Sequence, residues 1–449
     1  PSHHSGAAGD VNERHCRDHR VLGGYLTHNF GTFGVDTDKS LCLSDGIVGG
    51  VMGHRASEHL AGSPGDLLDL IRSGEATTRA ALASTTGLAR STVAQRIEQL
   101  ADRNLVIDVG EAPSTGGRPP AILGFNVDAG VVLAADLGAT HSRIGVADLG
   151  GTILDEVRHN IEISAGPHVV LSWVESTFDE LLGRVGRTPT EVMAIGIGVP
   201  GPVEFAAGRA VDPPIMPGWD GYDIRDRFAA TYDCPVLVDN DVNIMALGEH
   251  WTTPDAPSDF IFVKVGTGIG SGLILGGQLQ RGAKGTAGDI GHVRVPGVEA
   301  VCRCGNTGCL EAAAGGGALA VALAESGLDT HNSRDVVDLV RAGNRDAVRA
   351  VREAGRLIGR VLAMVVNMLN PAAITIGGDV AEAGDHLLAG IREVVYQRST
   401  ALSTSDLIVQ TSSLGDRAGI TGAAAMGIEE VVAPASINAA LAREAELVS

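Results

Sequence analysis

No run of 18 consecutive apolar residues occurs in this 449-residue chain, so no segment is a candidate for a membrane-spanning helix. No basic stretch followed by an apolar one opens it, and no secretory signal is expected. Cysteine is scarce. Six residues, three of them crowded near a histidine, do not make a disulfide framework and fit a reducing compartment, so a cytoplasmic location is expected. Basic side chains are the minority, 34 against 54 carboxylates. The resulting net charge of -20 argues against a general nucleic-acid coat, but leaves room for a small DNA-reading domain of different local charge. The length suggests two or three domains, and a 44% hydrophobic fraction is ample for their cores.

The most informative stretch is GTAGDIGHVRVPGVEAVCRCGNTGCLE, from Gly285 to Glu311. It holds His292, Cys302, Cys304 and Cys309. Thiolate and imidazole are the ligands tetrahedral zinc prefers, and a Cys3His set leaves no open position for a reacting water. The expectation is a structural zinc ion that pins the loop. The plainer alternative is a group of reduced thiols. Asp289, His292 and Glu311 flank the ligands, and acceptors converging there suit a polyhydroxylated molecule. Alternatively, Asp289 caps a turn and Glu311 begins a solvated helix.

Residues 1–62 are rich in glycine and keep neither a helical nor an alternating pattern, so weak order is expected there. From Ser63 the pattern changes. Asp66 to Arg72 reads as a short amphipathic helix, Thr77 to Ala83 as a second, and Ala89 to Leu100 as a third after a break at Thr86-Gly87. Leu82, Leu88, Val93, Ile97 and Leu100 keep helical spacing across the break, the layout of a helix-turn-helix. Leu105–Val109 and Ala121–Phe125 read as a strand and its return, which would form a wing over a domain at 63–126. Arg90, Ser91, Thr92, Gln95 and Arg96 suit base edges and phosphates, and Arg118 on its Gly/Pro frame suits a minor groove. The plainer reading is a protein-interaction module with a linker.

Further on, Val131 to Ala135 runs into Asp136-Leu137-Gly138-Ala139-Thr140 and returns through Arg143 to Asp148. Phe260 to Val265 runs into Gly266-Thr267-Gly268-Ile269-Gly270 and returns through Leu275. Strand, Gly/Thr turn and strand thus occur twice, as a duplicated two-lobed nucleotide-binding fold would show. Such turns let backbone N–H groups approach phosphate oxygens. Val236 to Asn243 is a strand entering a polar turn, with Asn240-Asp241 placed either to cap a helix or to bind a hydroxyl.

These motifs resemble the ROK (repressor, open reading frame, kinase) family, over roughly Gly65 to Val432. That family's zinc and sugar pattern is Glu-x-Gly-His followed by Cys-x-Cys-Gly-x-x-Gly-Cys-x-Glu, here with Asp289 in place of the first Glu. The resemblance implies an α/β fold: an N-terminal winged helix-turn-helix, then a two-lobed actin-like ATPase domain (ribonuclease H-like, duplicated) over 127–432, split near 240. A tail is left at 433–449. It further implies that Asp136, Gly138, Thr140, Gly266, Thr267, Gly268 and Gly270 meet nucleotide phosphates, with Gly377-Gly378 on the adenosine side. Gly208, Arg209, Asn240, Asp241, Asp289, His292 and Glu311 would touch the sugar, Asp241 being the general base in the kinases. Pro213-Pro214-Ile215 stands where the family often has a sugar-binding Asn, and Asp379 replaces a small residue after Gly377-Gly378.

The expected function is a sugar-responsive regulator, a repressor, with operator DNA and a sugar or sugar phosphate as partners and a homodimer or homotetramer as its assembly. Structural Zn2+ is the expected cofactor. The alternative is an ATP- and Mg2+-dependent, glucokinase-like sugar kinase, alone or combined with regulation.

Overall fold

The computed structural model describes residues 62–111 and 119–448. Residues 1–61 and Arg118 lie outside the described residues. Helix α1 (Pro64–Arg72) begins behind Ser63, whose Oγ accepts the Asp66 N–H while the Asp66 carboxylate accepts the Ser63 N–H at 2.8 Å. This reciprocal cap satisfies two donors the helix leaves unpaired. Helix α2 (Arg79–Thr86) is capped by Thr78 and ends on Gly87 at φ 71°, a left-handed turn that suits glycine. Helix α3 (Arg90–Asp102) follows after a three-residue turn. Strands β1 (Val106–Glu111) and β2 (Ala121–Phe125) pair antiparallel. Leu82, Val93, Ile97 and Leu100, the periodic positions, are all buried.

The first lobe holds β3 (Val131–Leu137), β4 (Ser142–Asp148), β5 (Ile153–His159), helix α4 (Pro167–Val185) and β6 (Val192–Val199). A small hairpin of β7 (Val203–Glu204) and β8 (Arg209–Ala210) follows, then α5 (Ile224–Ala229) and β9 (Val236–Asn240). The sheet order is β5-β4-β3-β6-β9, with the first three strands antiparallel and β3, β6 and β9 parallel. Strand β3 is apolar on both faces because helices cover both. Helix α6 (Asp241–Thr252) then crosses to the second lobe.

The second lobe repeats the plan. Strands β10 (Phe260–Val265), β11 (Ile269–Leu275) and β12 (Gln278–Leu279) are followed by helices α7 (Leu310–Ala314), α8 (Gly316–Glu325), α9 (Ser333–Arg341) and α10 (Arg345–Leu369). Strand β13 (Ala373–Gly377), helices α11 (Asp385–Arg398) and α12 (Ala401–Thr404) and strand β14 (Ile408–Thr411) complete it. The order β12-β11-β10-β13-β14 has the same pattern of antiparallel and parallel neighbours as the first sheet. The duplication read from the two glycine turns is therefore present in the strand topology.

Two helices end the chain. Helix α13 (Ala418–Val432) returns to the first lobe, packing Ile420, Ala423 and Ala424 with Ala134 and Ile244. It crosses α6 so closely that a Cβ on Gly422 would lie 1.6 Å from the Ile244 carbonyl oxygen, and one on Gly248 2.2 Å from that of Ala418. Helix α14 (Pro434–Val448) occupies the region expected as a tail. It docks on α1, where Asn438 Nδ2 donates to Ser63 Oγ at 2.8 Å and the Gly65 N–H donates to Asn438 Oδ1 at 3.0 Å. The N-terminal helices consequently share one core with the first lobe. Leu67, Leu68 and Ile71 pack in a cluster with Val132, Ala194, Ile428 and Val432.

Candidate functional site

A cleft of about 1330 Å³ opens between the C-terminal ends of the two central strands. Its walls come from both lobes: Asp136 to His141 and Asn240 to Asn243 on one side, Lys264 to Ser271 and Ile376 to Asp379 on the other. Ligands of open α/β sheets bind at such strand ends.

Asn240 closes β9 and caps α6. Its Oδ1 accepts the Val242 N–H at 2.9 Å, and its Nδ2 donates to the Gly201 carbonyl at 2.8 Å. Both the capping and the binding reading therefore apply to one residue. Asp241 is the first residue of α6 and is buried. The positive end of the helix favours its carboxylate. The Lys264 ammonium reaches Asp241 Oδ2 at 2.5 Å. Behind them, Asp239 is buried and accepts from the Asn240 N–H, Asn243 Nδ2 and Arg281 Nε, each at 2.7 Å. That set of bonds fixes the strand-to-helix turn.

Asp136 lies on the facing turn. Burial pushes its carboxyl up to about 6, with Lys264 pulling the other way and Asp241 adding to the rise. Burial also lowers His141 to about 4, so a neutral imidazole sits beside the Thr140 hydroxyl, 3.3 Å away. Burial works against the Lys264 ammonium, yet Asp241 and Asp136 hold its pKa above the ordinary lysine value. Lys264 is one of three lysines in the chain, and the reading from sequence missed it. Its signal was there: one charge inside the otherwise apolar strand FIFVKV.

The glycine turns sit close to backbone. A Cβ on Gly138 would come 2.6 Å from the His141 carbonyl oxygen. One on Gly268 would come 2.2 Å from Glu311 Oε2. Gly266, Gly270 and Thr267 line the cleft beside them. Gly377 is packed against the Phe262 ring, and Gly378, at φ 86°, against the Val265 carbonyl. Asp379 accepts from Ser333 Oγ at 2.8 Å.

The loop after β12 brings the second group together. The ligand atoms of His292, Cys302, Cys304 and Cys309 all lie within 4.8 Å of one another. Cys302 Sγ is 3.6 Å from His292 Nδ1, and Cys304 Sγ is 3.7 Å from Cys309 Sγ. A tetrahedral ion with metal–sulfur bonds of about 2.3 Å has sulfur–sulfur edges of roughly 3.8 Å, so the spacing fits such an ion. Short backbone bonds shape the loop: the Cys302 N–H donates to the Asn306 carbonyl, the Leu310 N–H to Val293 and the Glu311 N–H to Gly291. Glu311 is thereby placed against the glycine turn of β10, where its Oε2 accepts the Ile269 N–H at 3.1 Å. Asp289 and His292 also line the cleft.

Two residues expected at the sugar are not brought there. Gly208 and Arg209 lie in the β7–β8 hairpin, where Arg209 pairs with Glu204 at 3.0 Å, and neither lines the cleft. Pro214 and Ile215 do line it. On α3, Arg90, Ser91 and Gln95 are exposed and Thr92 partly so, whereas Arg96 is half-buried with Nη1 against Gly62. Among the described residues no single helix is long and apolar enough to cross a membrane.

Comparison with known proteins adds relatives. A putative xylose repressor of Caldicellulosiruptor sp. (strain Rt8B.4) is 32% identical over 370 residues, covering 79% of this chain and 92% of that protein. A glucokinase of Streptomyces coelicolor is 30% identical over 322 residues, covering 67% of this chain and 98% of that protein. Among solved structures, a ROK family transcriptional regulator, homolog of the E. coli MLC protein, superposes with a TM-score of 0.71 over 85% of this chain and 98% of its own. At 24% identity that likeness concerns the fold. The ROK family profile matches residues 132–430, and the chain belongs to the ROK family.

Proposed function

We propose that this protein is a transcriptional repressor whose DNA affinity is set by a sugar bound between the lobes. The observation that carries this reading is the shared core of the N-terminal helices and the first lobe, through which a shift in that lobe would bear on α3. In this reading residues 63–126 are a winged helix-turn-helix, with α3 as the reading helix and the β1–β2 hairpin as its wing. Arg90, Ser91, Thr92 and Gln95 meet the duplex, Arg118 enters the minor groove from the wing, and Arg96 mainly supports α3. The proteins named repressor or regulator match more of this chain than the glucokinase does, which is what an added DNA-binding module requires. A homodimer on a two-fold operator would supply the second reading helix.

The sugar lies against Asn240, Asp241, Asp289, His292 and Glu311, whose acceptors suit hydroxyl donors. The repressor relatives make xylose the first ligand to try. A structural zinc ion on His292, Cys302, Cys304 and Cys309 holds Glu311 against the β10 turn. A second reading, ATP-dependent sugar phosphorylation, is favoured by one observation: Asp241 and both glycine turns face one cleft.

The test is selection of bound duplexes from a randomised DNA library, followed by fluorescence anisotropy with xylose, glucose and other aldoses. A two-fold motif released by one sugar is expected, with Asp241→Ala blunting the release. No enrichment of any sequence, or affinity unmoved by every sugar, would overturn the proposal. Rapid ADP release with one sugar, lost in Asp241→Ala, would put the kinase reading first.

A further inference from the structure

Asp136 and Lys264 occupy equivalent places in the duplicated lobes. Each is the penultimate residue of the first central strand, in Asp136-Leu137-Gly138 and Lys264-Val265-Gly266. One lobe thus sends a carboxylate into the cleft and the other an ammonium. The ammonium is only 25% exposed, is bonded to Asp241 and lies near enough to Asp136 to bear on its charge.

We infer that Lys264 is the resident cation of the cleft: it occupies the electrostatic place between Asp136 and Asp241 that a nucleotide-bound divalent cation would need, and it tunes the site for a sugar alone. The inference rests on the sugar reading of the cleft. Its chemistry is direct. Phosphoryl transfer depends on a metal ion that neutralises the phosphates and on a carboxylate free to accept the hydroxyl proton. A fixed ammonium repels the metal, and its bond to Oδ2 occupies one of the two Asp241 oxygens that a hydroxyl proton could reach. The same bond holds Asp241 in place, with its other oxygen ready to accept a sugar hydroxyl. Asp379 adds to the field that keeps the ammonium charged.

The consequence is a protein that binds its sugar without Mg2+ or nucleotide, and whose nucleotide affinity is governed by one side chain. Calorimetry reads this with Mg2+ and the non-hydrolysable nucleotide AMPPNP as probes. In the wild type, any AMPPNP binding is expected to be no stronger with Mg2+ than in Mg2+-free buffer. In Lys264→Gln, binding of Mg2+·AMPPNP should tighten by roughly tenfold or more, because the repulsion between the ammonium and the metal ion is removed. Lys264→Arg, which keeps the charge, should behave as the wild type. Tight, Mg2+-dependent binding by the wild type would overturn the inference, and so would equal affinities in the Gln and Arg variants. The wild-type measurement stands even if Lys264→Gln fails to fold. Sugar titrations of the wild type in Mg2+-free buffer that leaves the proposed zinc site loaded separate the two ideas. If no aldose binds, the sugar reading fails; if one binds only with Mg2+, the resident-cation inference fails and the sugar reading survives.

Discussion

The two lobes share one strand order and differ in what they place at the strand ends. The first presents Asp136 and a turn closed by a neutral His141. The second presents Lys264 and a turn braced by Glu311, which the Cys/His loop holds in place. Duplication copied the scaffold because buried strands constrain shape and polarity. It did not copy the chemistry, since a turn at a strand end is free to vary. Opposite charges stand at the equivalent positions Asp136 and Lys264, and each bears on the other's charge.

The largest expected effect breaks the comparison on the second lobe alone. Cys302→Ser should remove zinc, reduce the metal content from one ion per chain to none, and destabilise the fold by more than about 3 kcal/mol. Structural zinc contributes roughly 10–16 kcal/mol in small peptides, so a loss of that size is modest. Metal analysis beside thermal unfolding checks it, and full stability without zinc would count against the ion.

The next tests the first lobe. Asp136 has its carboxyl raised from 3.8 to about 6, so folding favours its protonated form. Below pH 3.8 that burden is absent; it grows as pH rises and is complete above about 6. A shift of that size corresponds to about 3 kcal/mol. Relative to wild type, Asp136→Asn should therefore gain stability between pH 4 and pH 7, measured by denaturant unfolding at both. A pH-independent difference would show that Asp136 ionises freely.

A third change targets the crossing that joins the lobes. Gly422→Ala puts a methyl group where 1.6 Å separates a Cβ from the Ile244 carbonyl oxygen. Overpacking typically costs about 1–3 kcal/mol, and urea unfolding should fall in that range or above it. An unchanged midpoint would mean that α6 and α13 separate readily.

The smallest effect sharpens how the first lobe differs from the second: the N-terminal helices dock on it. Arg72 on α1 pairs with Glu429 on α13 at 3.0 Å. Arg72→Ala should cost no more than about 1 kcal/mol in stability. It should still narrow the difference in DNA affinity with and without sugar. Normal sugar release would assign the coupling to the apolar core of Leu67, Leu68 and Ile71 instead.

Much of this was legible in the chain. Helical spacing identified α3, and Thr86-Gly87 marked the break before it, because local periodicity reports a buried face wherever the segment ends up. The repeated glycine turns announced the duplication, and one histidine and three cysteines within a short loop announced the Cys/His cluster, since both signals are confined to neighbouring residues. Gly208 and Arg209 were misplaced for the opposite reason: their distance from the cleft depends on how the β7–β8 hairpin folds away to pair Arg209 with Glu204. The segment 433–449 carried no mark of its partner, because α14 packs on a helix more than 370 residues earlier, through Asn438 and Gly65.

By itself, then, the sequence determined the strands that enter the two glycine turns, the turns themselves and the Cys/His cluster, all of which follow from residue spacing along one segment. The tertiary structure alone decided that Lys264 meets Asp241, 23 residues earlier, with Asp136 close by. Their convergence depends on the angle at which two separately folded sheets face each other. The close crossing of α6 and α13, at Gly248 and Gly422, joins residues about 170 positions apart, and no local pattern encodes it.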